Sequence, residues 1–84
     1  MSFETYFTME FDLYGYQRQF PQRAAAYFQA SGLSAAQIAV VFGVTERTAM
    51  NWLEGIAVPR GAQIALVAVR DPDGFRRHFS ERAA

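Results

Sequence analysis

The chain has 84 residues, with eight basic residues, all Arg, balancing eight acids to a formal net charge of zero. A hydrophobic content of 51% and an aromatic content of 15% exclude a disordered chain, and the absence of cysteine excludes disulfides and thiolate metal sites. The charge is uneven: Met1–Gln17 carries Glu4, Glu10 and Asp12 without a basic residue, whereas eight arginines face five acids from Arg18 onward. The start, MSFETYFTMEFD, lacks the basic and apolar regions of a secretory signal, and no apolar run approaches the ~18–20 residues of a membrane span. The expected setting is the cytoplasm.

Phe7, Met9, Phe11 and Leu13 alternate with Thr8, Glu10 and Asp12, a period of two that predicts an N-terminal β-strand closed by a turn at Tyr14-Gly15-Tyr16, against a competing helical reading through Phe3, Phe7, Phe11 and Tyr14. The remainder reads as about five short helices. Pro21, suited to a first turn, opens one that Ser31-Gly32 closes. Ser34 and Gln37 form an S-x-x-Q capping box for a second, with Ile38, Ala39, Val41 and Phe42 as its apolar face and Gly43 at its end. Thr45 caps a third, running from Glu46 to about Glu54 and ended by Gly55. Pro59 introduces a fourth, apolar nearly all round at Ile64–Val69, which predicts deep burial or a surface shared with a partner. Asp71-Pro72-Asp73 starts a last helix, reaching Phe79. The chain thus divides into an arm over residues 1–17, a helical domain over 18–80 and a frayed tail over 81–84.

Leu33–Gly55 carries the functional signal. Two short helices joined by a tight Gly-Val turn must cross steeply, so Ala39 supplies the small residue at their contact, Gly43 the positive φ, and Val44 a plug into the core. On the third helix Ala49, Trp52 and Leu53 point inward with Thr45. Glu46, Arg47, Met50, Asn51 and Glu54 form one outward stripe, the arrangement that enters a major groove.

The pattern Ala39-x-x-x-Gly43-Val44, followed by Ala49, Trp52, Gly55 and Pro59, resembles the helix-turn-helix of the lambda-repressor-like (Cro and XRE-type) DNA-binding family. The resemblance extends less specifically over Arg23–Val69. It implies a mainly α helix-turn-helix bundle and a small bacterial or phage repressor that binds double-stranded DNA at a pseudo-palindromic operator as a homodimer, without metal, cofactor or small-molecule ligand. Base reading falls to Glu46, Arg47, Thr48, Met50 and Asn51: Arg47 suits guanine, Asn51 adenine, Glu46 cytosine N4, and Met50 a thymine methyl. Phosphate falls to Ser34 and Arg60. Where many relatives carry Gln at the start of the second helix, this chain has Ala35. Arg47 and Arg60 are cancelled by Glu46 and Glu54, so binding per copy should be weak.

Nothing in the sequence assembles a nucleophile, a base and a phosphate loop, so no enzyme is expected. His78, the lone histidine, reads as a surface or packing residue, and Arg76 and Arg77 as a solvated helix face. The N-terminal strand either pairs with the same strand of a second copy or packs across its own helices. The rival function is a helix-turn-helix kept as a protein-interaction scaffold, as in an antitoxin or phage accessory protein.

Overall fold

The computed structural model describes residues 12–80, of which Asp12 is the first. Its carboxylate accepts a hydrogen bond from the Gly15 N–H at 3.0 Å, and helix α1 follows over Leu13–Ser31. Four further helices complete the described residues, which contain no strand: α2 (Ala35–Phe42), α3 (Glu46–Leu53), α4 (Gly61–Arg70) and α5 (Pro72–Phe79). Among them, no single helix is long and apolar enough to cross a membrane.

The start of α1 corrects the sequence reading. Leu13 is helical rather than the end of a strand, Tyr14-Gly15-Tyr16 is the first turn of α1, and Pro21 lies inside the helix. The boundary expected between residues 17 and 18 therefore falls within one element. Residues 1–11, with the rest of the expected strand and arm, and the tail at 81–84 lie outside the described residues. The physical reason is tertiary. An interior proline forfeits one helical hydrogen bond and costs about 3 kcal/mol, but Tyr16, Phe20, Ala24, Tyr27 and Phe28 form a single helical stripe that packs along its whole length.

That stripe meets two clusters. Towards the C-terminal end of α1, Phe28 joins Ile38, Ala49 and Trp52, with Phe42, Val44 and Leu53 packed around them. Nearer the start, Ala24 joins Val67 of α4 and Phe79 of α5, flanked by Phe20, Ile64 and Phe75. Tyr27 and Phe42 touch both clusters, so the two halves form one core. α1 is the spine: it packs on α3 and α5, while α2 lies on α3 and α4 on α5.

Polar contacts fix α5 against the spine. Tyr16 donates its hydroxyl to the Phe79 carbonyl at 2.5 Å. The Arg23 guanidinium donates to the Ser80 carbonyl at 2.6 Å and lies over the Tyr16 ring, placing a cation where the α5 dipole is negative. At the other end, Asp71 caps α5 by accepting from the Gly74 N–H at 3.2 Å, and also accepts from the Tyr27 hydroxyl at 2.9 Å. Gly74 permits this approach, since a Cβ there would stand 3.0 Å from the Tyr27 ring and against the Asp71 carboxylate. His78 rests edge-on to Tyr27 with Nδ1 3.0 Å from the Gly74 carbonyl, a packing role as expected.

The Tyr27–Asp71 bond makes stability depend on pH at both extremes. Burial, then the bond to Asp71, then its negative charge push Tyr27 up to about 12 from an ordinary value of 10.0. A raised pKa contributes stability that is complete below pH 10.0 and is lost as pH rises towards about 12. Asp71 is lowered, first by the Tyr27 hydroxyl and then by the Gly74 N–H, so its contribution is present above the ordinary value of 3.8 and disappears as pH falls below it. Thermal melts of Tyr27→Phe and wild type should therefore differ by a constant amount between these limits and converge above pH 10. A gap that stays constant up to pH 12 would show that the difference does not come from the protonated phenol's bond to Asp71.

Candidate functional site

The α2–turn–α3 unit is organised by three local devices. Ser34 caps α2 by accepting from the Gln37 N–H at 3.2 Å while the Gln37 side chain accepts from the Ser34 N–H at 2.9 Å, the reciprocal box expected from the sequence. Gly43 takes φ +68°, and the Ala39 carbonyl accepts from both Gly43 and Val44, closing the turn. Thr45 caps α3 by accepting from the Thr48 N–H at 3.1 Å. Its exposure corrects the expectation that it faces inward: a cap must keep its side chain beside its own helix terminus.

α3 is held from one side. Ala49 is fully buried and Trp52 nearly so, with the indole stacked on Phe28 at 5.3 Å and edge-on to Phe42 at 5.7 Å. Leu53 is half-buried against the same cluster, and its carbonyl accepts from the Gln29 amide at 2.8 Å, tying the end of α3 to α1. Opposite, Glu46, Arg47, Met50 and Glu54 are exposed and Asn51 is half-buried. The structure thus places the expected base-reading residues on one face, except that Thr48 is half-buried and its hydroxyl accepts from Thr45 at 2.9 Å. The Arg47 guanidinium and the Asn51 amide have no partner among the described residues. The Asn51 carbonyl is engaged, accepting from the N–H groups of Ile56 and Ala57, which folds the following loop against α3.

The two expected phosphate residues lie at helix starts, Ser34 before α2 and Arg60 before α4. The Ser34 oxygen is committed to its cap, leaving the hydroxyl proton to give. Arg60 lies on an open cleft between the start of α3 and the start of α4, together with Thr45, Thr48, Val58 and Gln63. Gln63 was missed by the sequence reading. Its side chain accepts from the Arg60 backbone N–H at 2.8 Å, so its own amide N–H groups remain available on the same cleft. The signal was present, since Arg60 and Gln63 repeat the three-residue spacing of Ser34 and Gln37.

Among the described residues no group of three or more His, Asp or Glu side chains is placed to hold a metal ion. The chemistry of the α3 face is hydrogen bonding and charge: one guanidinium, one amide, two carboxylates and a thioether, with a second guanidinium at the cleft. The chain matches no protein family, no curated protein and no solved structure.

The turn that orients α3 is testable by itself. A Cβ at Gly43 would meet nothing within 4 Å, so Gly43→Ala isolates the backbone cost of φ +68°. That cost is about 1–2 kcal/mol, and the melting midpoint should fall by about 4–8 °C per kcal/mol. An unchanged midpoint would mean that the turn tolerates another geometry.

Proposed function

We propose that the chain is a sequence-specific DNA-binding protein of lambda-repressor-like helix-turn-helix type, inserting α3 into the major groove as a small transcriptional regulator. The observation that carries the reading is the division of α3: Ala49 and Trp52 lock one face into the core, while Arg47 and Asn51 stand on the other with no partner inside the described chain. A guanidinium and an amide one helical turn apart match the paired acceptors of guanine and the donor–acceptor pair of adenine. Glu46 in the first turn of α3 suits the helix dipole and excludes sequences that place an acceptor before it. Arg60, with Gln63 beside it, contacts phosphate across the open cleft, and Ser34 donates its proton to a neighbouring phosphate. With two arginines per copy, and two carboxylates on the same face, useful affinity takes two copies on a pseudo-palindromic site.

A second reading is favoured by one specific feature. Met50, Ile56 and Val58 are exposed on and just beyond α3, an apolar group that suits a protein partner better than a phosphate backbone. Under this reading the unit is an interaction scaffold.

Selection of bound sites from random duplex DNA separates the two, because a scaffold enriches no sequence. On a selected site, Arg47→Ala should lose about 1–3 kcal/mol of preference at one base pair while binding other sequences as before. Arg60→Ala should weaken binding to every sequence and reduce the slope of log K against log salt by about 1 per copy. Absence of any enriched site, or an Arg47→Ala protein with unaltered preference, would overturn the base-reading assignment.

A further inference from the structure

The cleft between the starts of α3 and α4 holds more hydrogen-bond donors than its own groups consume. Thr45 and Thr48 both line it, and a hydrogen bond of 2.9 Å joins their hydroxyls, with Thr45 donating. Two hydroxyls carry two protons and this bond uses one, so the pair has one left to give. The Thr45 oxygen already accepts from the Thr48 N–H, and the Thr48 hydroxyl proton has no acceptor among the described residues. The same imbalance recurs on the α4 side. Gln63 spends its oxygen on the Arg60 backbone N–H and keeps both amide protons, while the Arg60 guanidinium has no partner among the described residues. No carboxylate stands on the lining, and Val44, Trp52, Ala57 and Val58 make much of the remaining wall apolar. Thr48 belongs to this cleft rather than to the outward stripe of α3: it lies one helical turn before Trp52, on the same side, and is half-buried.

We propose that the Thr45–Thr48 hydroxyl pair is the α3 half of a phosphate clamp closed from α4 by Gln63 and Arg60, so that Thr48 positions α3 on a nucleic-acid backbone instead of reading a base. The donor set selects the ligand. A surplus of donors, one of them cationic, with no carboxylate among them, is complementary to an oxyanion, which only accepts. The cleft, at about 680 Å³, admits a phosphate group with its water. A phosphate held from both helices fixes the depth and register of α3, which is the task of backbone contacts in a protein that reads bases.

The inference deepens the DNA reading and rests on it for the source of the phosphate, so its first test contains no DNA. Titration of inorganic phosphate into the full 84-residue chain at constant ionic strength, followed by heteronuclear NMR, should shift the Gln63 side-chain amide and the Thr48 N–H to saturation, and chloride in its place should not. Thr48→Val, which removes the hydroxyl and keeps the shape, should raise the midpoint about tenfold, and Thr48→Ser should restore it to within about twofold. Gln63→Glu still accepts from the Arg60 N–H but repels an anion, so it should abolish the shifts, and it carries the test if Thr48→Val fails to fold. On a selected duplex, Thr48→Val should weaken binding to every sequence alike and leave the salt slope unchanged, because a hydroxyl neutralises no charge. Absence of saturable shifts would overturn the clamp, as would a midpoint unmoved in folded Thr48→Val. Altered preference at one base pair in Thr48→Val would overturn its positioning role. Saturable shifts without any selected duplex would support the clamp and overturn the DNA reading alone.

Discussion

The packing of Trp52 between Phe28 and Phe42 is the contact on which the rest depends. α2 and α3 have eight residues each, too few to be helical by themselves in water, so their existence and their angle come from what they pack against. Phe28 stacks on Trp52 at 5.3 Å and meets Phe42 edge-on at 5.5 Å, while Phe42 meets Trp52 edge-on at 5.7 Å. One ring from each of three helices therefore fixes two short helices to one long one. Once Trp52 is held, the helical period leaves no choice about where Arg47 and Met50 go. The exposed face of α3 is a consequence of its buried one.

The length of α1 follows from serving two partners. Its first half, through Tyr16, Phe20 and Arg23, is committed to the C-terminal end of α5, where it contributes rings and donates hydrogen bonds to the Phe79 and Ser80 carbonyls. Its second half, through Phe28 and Gln29, holds α3. A helix broken at Pro21 would separate these tasks and allow the two clusters to move independently. Tyr27 stands at the join, touching both clusters and Asp71, so a disturbance of α5 is felt at the aromatic contact that orients α3.

Local chemistry was legible in the sequence and non-local packing was not. The Ser34–Gln37 box, the Gly43 turn, the Thr45 cap and the Asp71-Pro72 restart each depend on residues within four positions of one another, and each is present where the sequence places it. The start of α1 was misread because alternation at residues 7–13 and a proline at 21 are strong local signals, whereas what sustains the helix is contact with Phe79, some sixty residues away. α4 shows the same limit from the opposite side. Its composition signalled apolar surroundings, but composition cannot say how much of a helix its own chain covers. At the candidate site, the outward stripe was readable from helical period alone. The seat of Thr45 and the pairing of Gln63 with the Arg60 backbone required knowing which groups the caps consume.

Charge limits what a single copy could do at the proposed DNA-binding face. Under the proposed reading Arg60 faces phosphate and Arg47 a base edge, so one neutralised phosphate per copy corresponds to a salt slope of only about −0.9. Such a domain would release duplex readily at physiological ionic strength. In the proposed reading, placing two linked copies on a pseudo-palindromic site would make the second engagement intramolecular and raise avidity without any new contact to DNA. Under the proposed reading, specificity falls to Arg47 and Asn51 and occupancy to the pairing of copies on the site. A chain of zero net charge can then discriminate sequence without the general attraction to nucleic acid that a strongly basic domain carries.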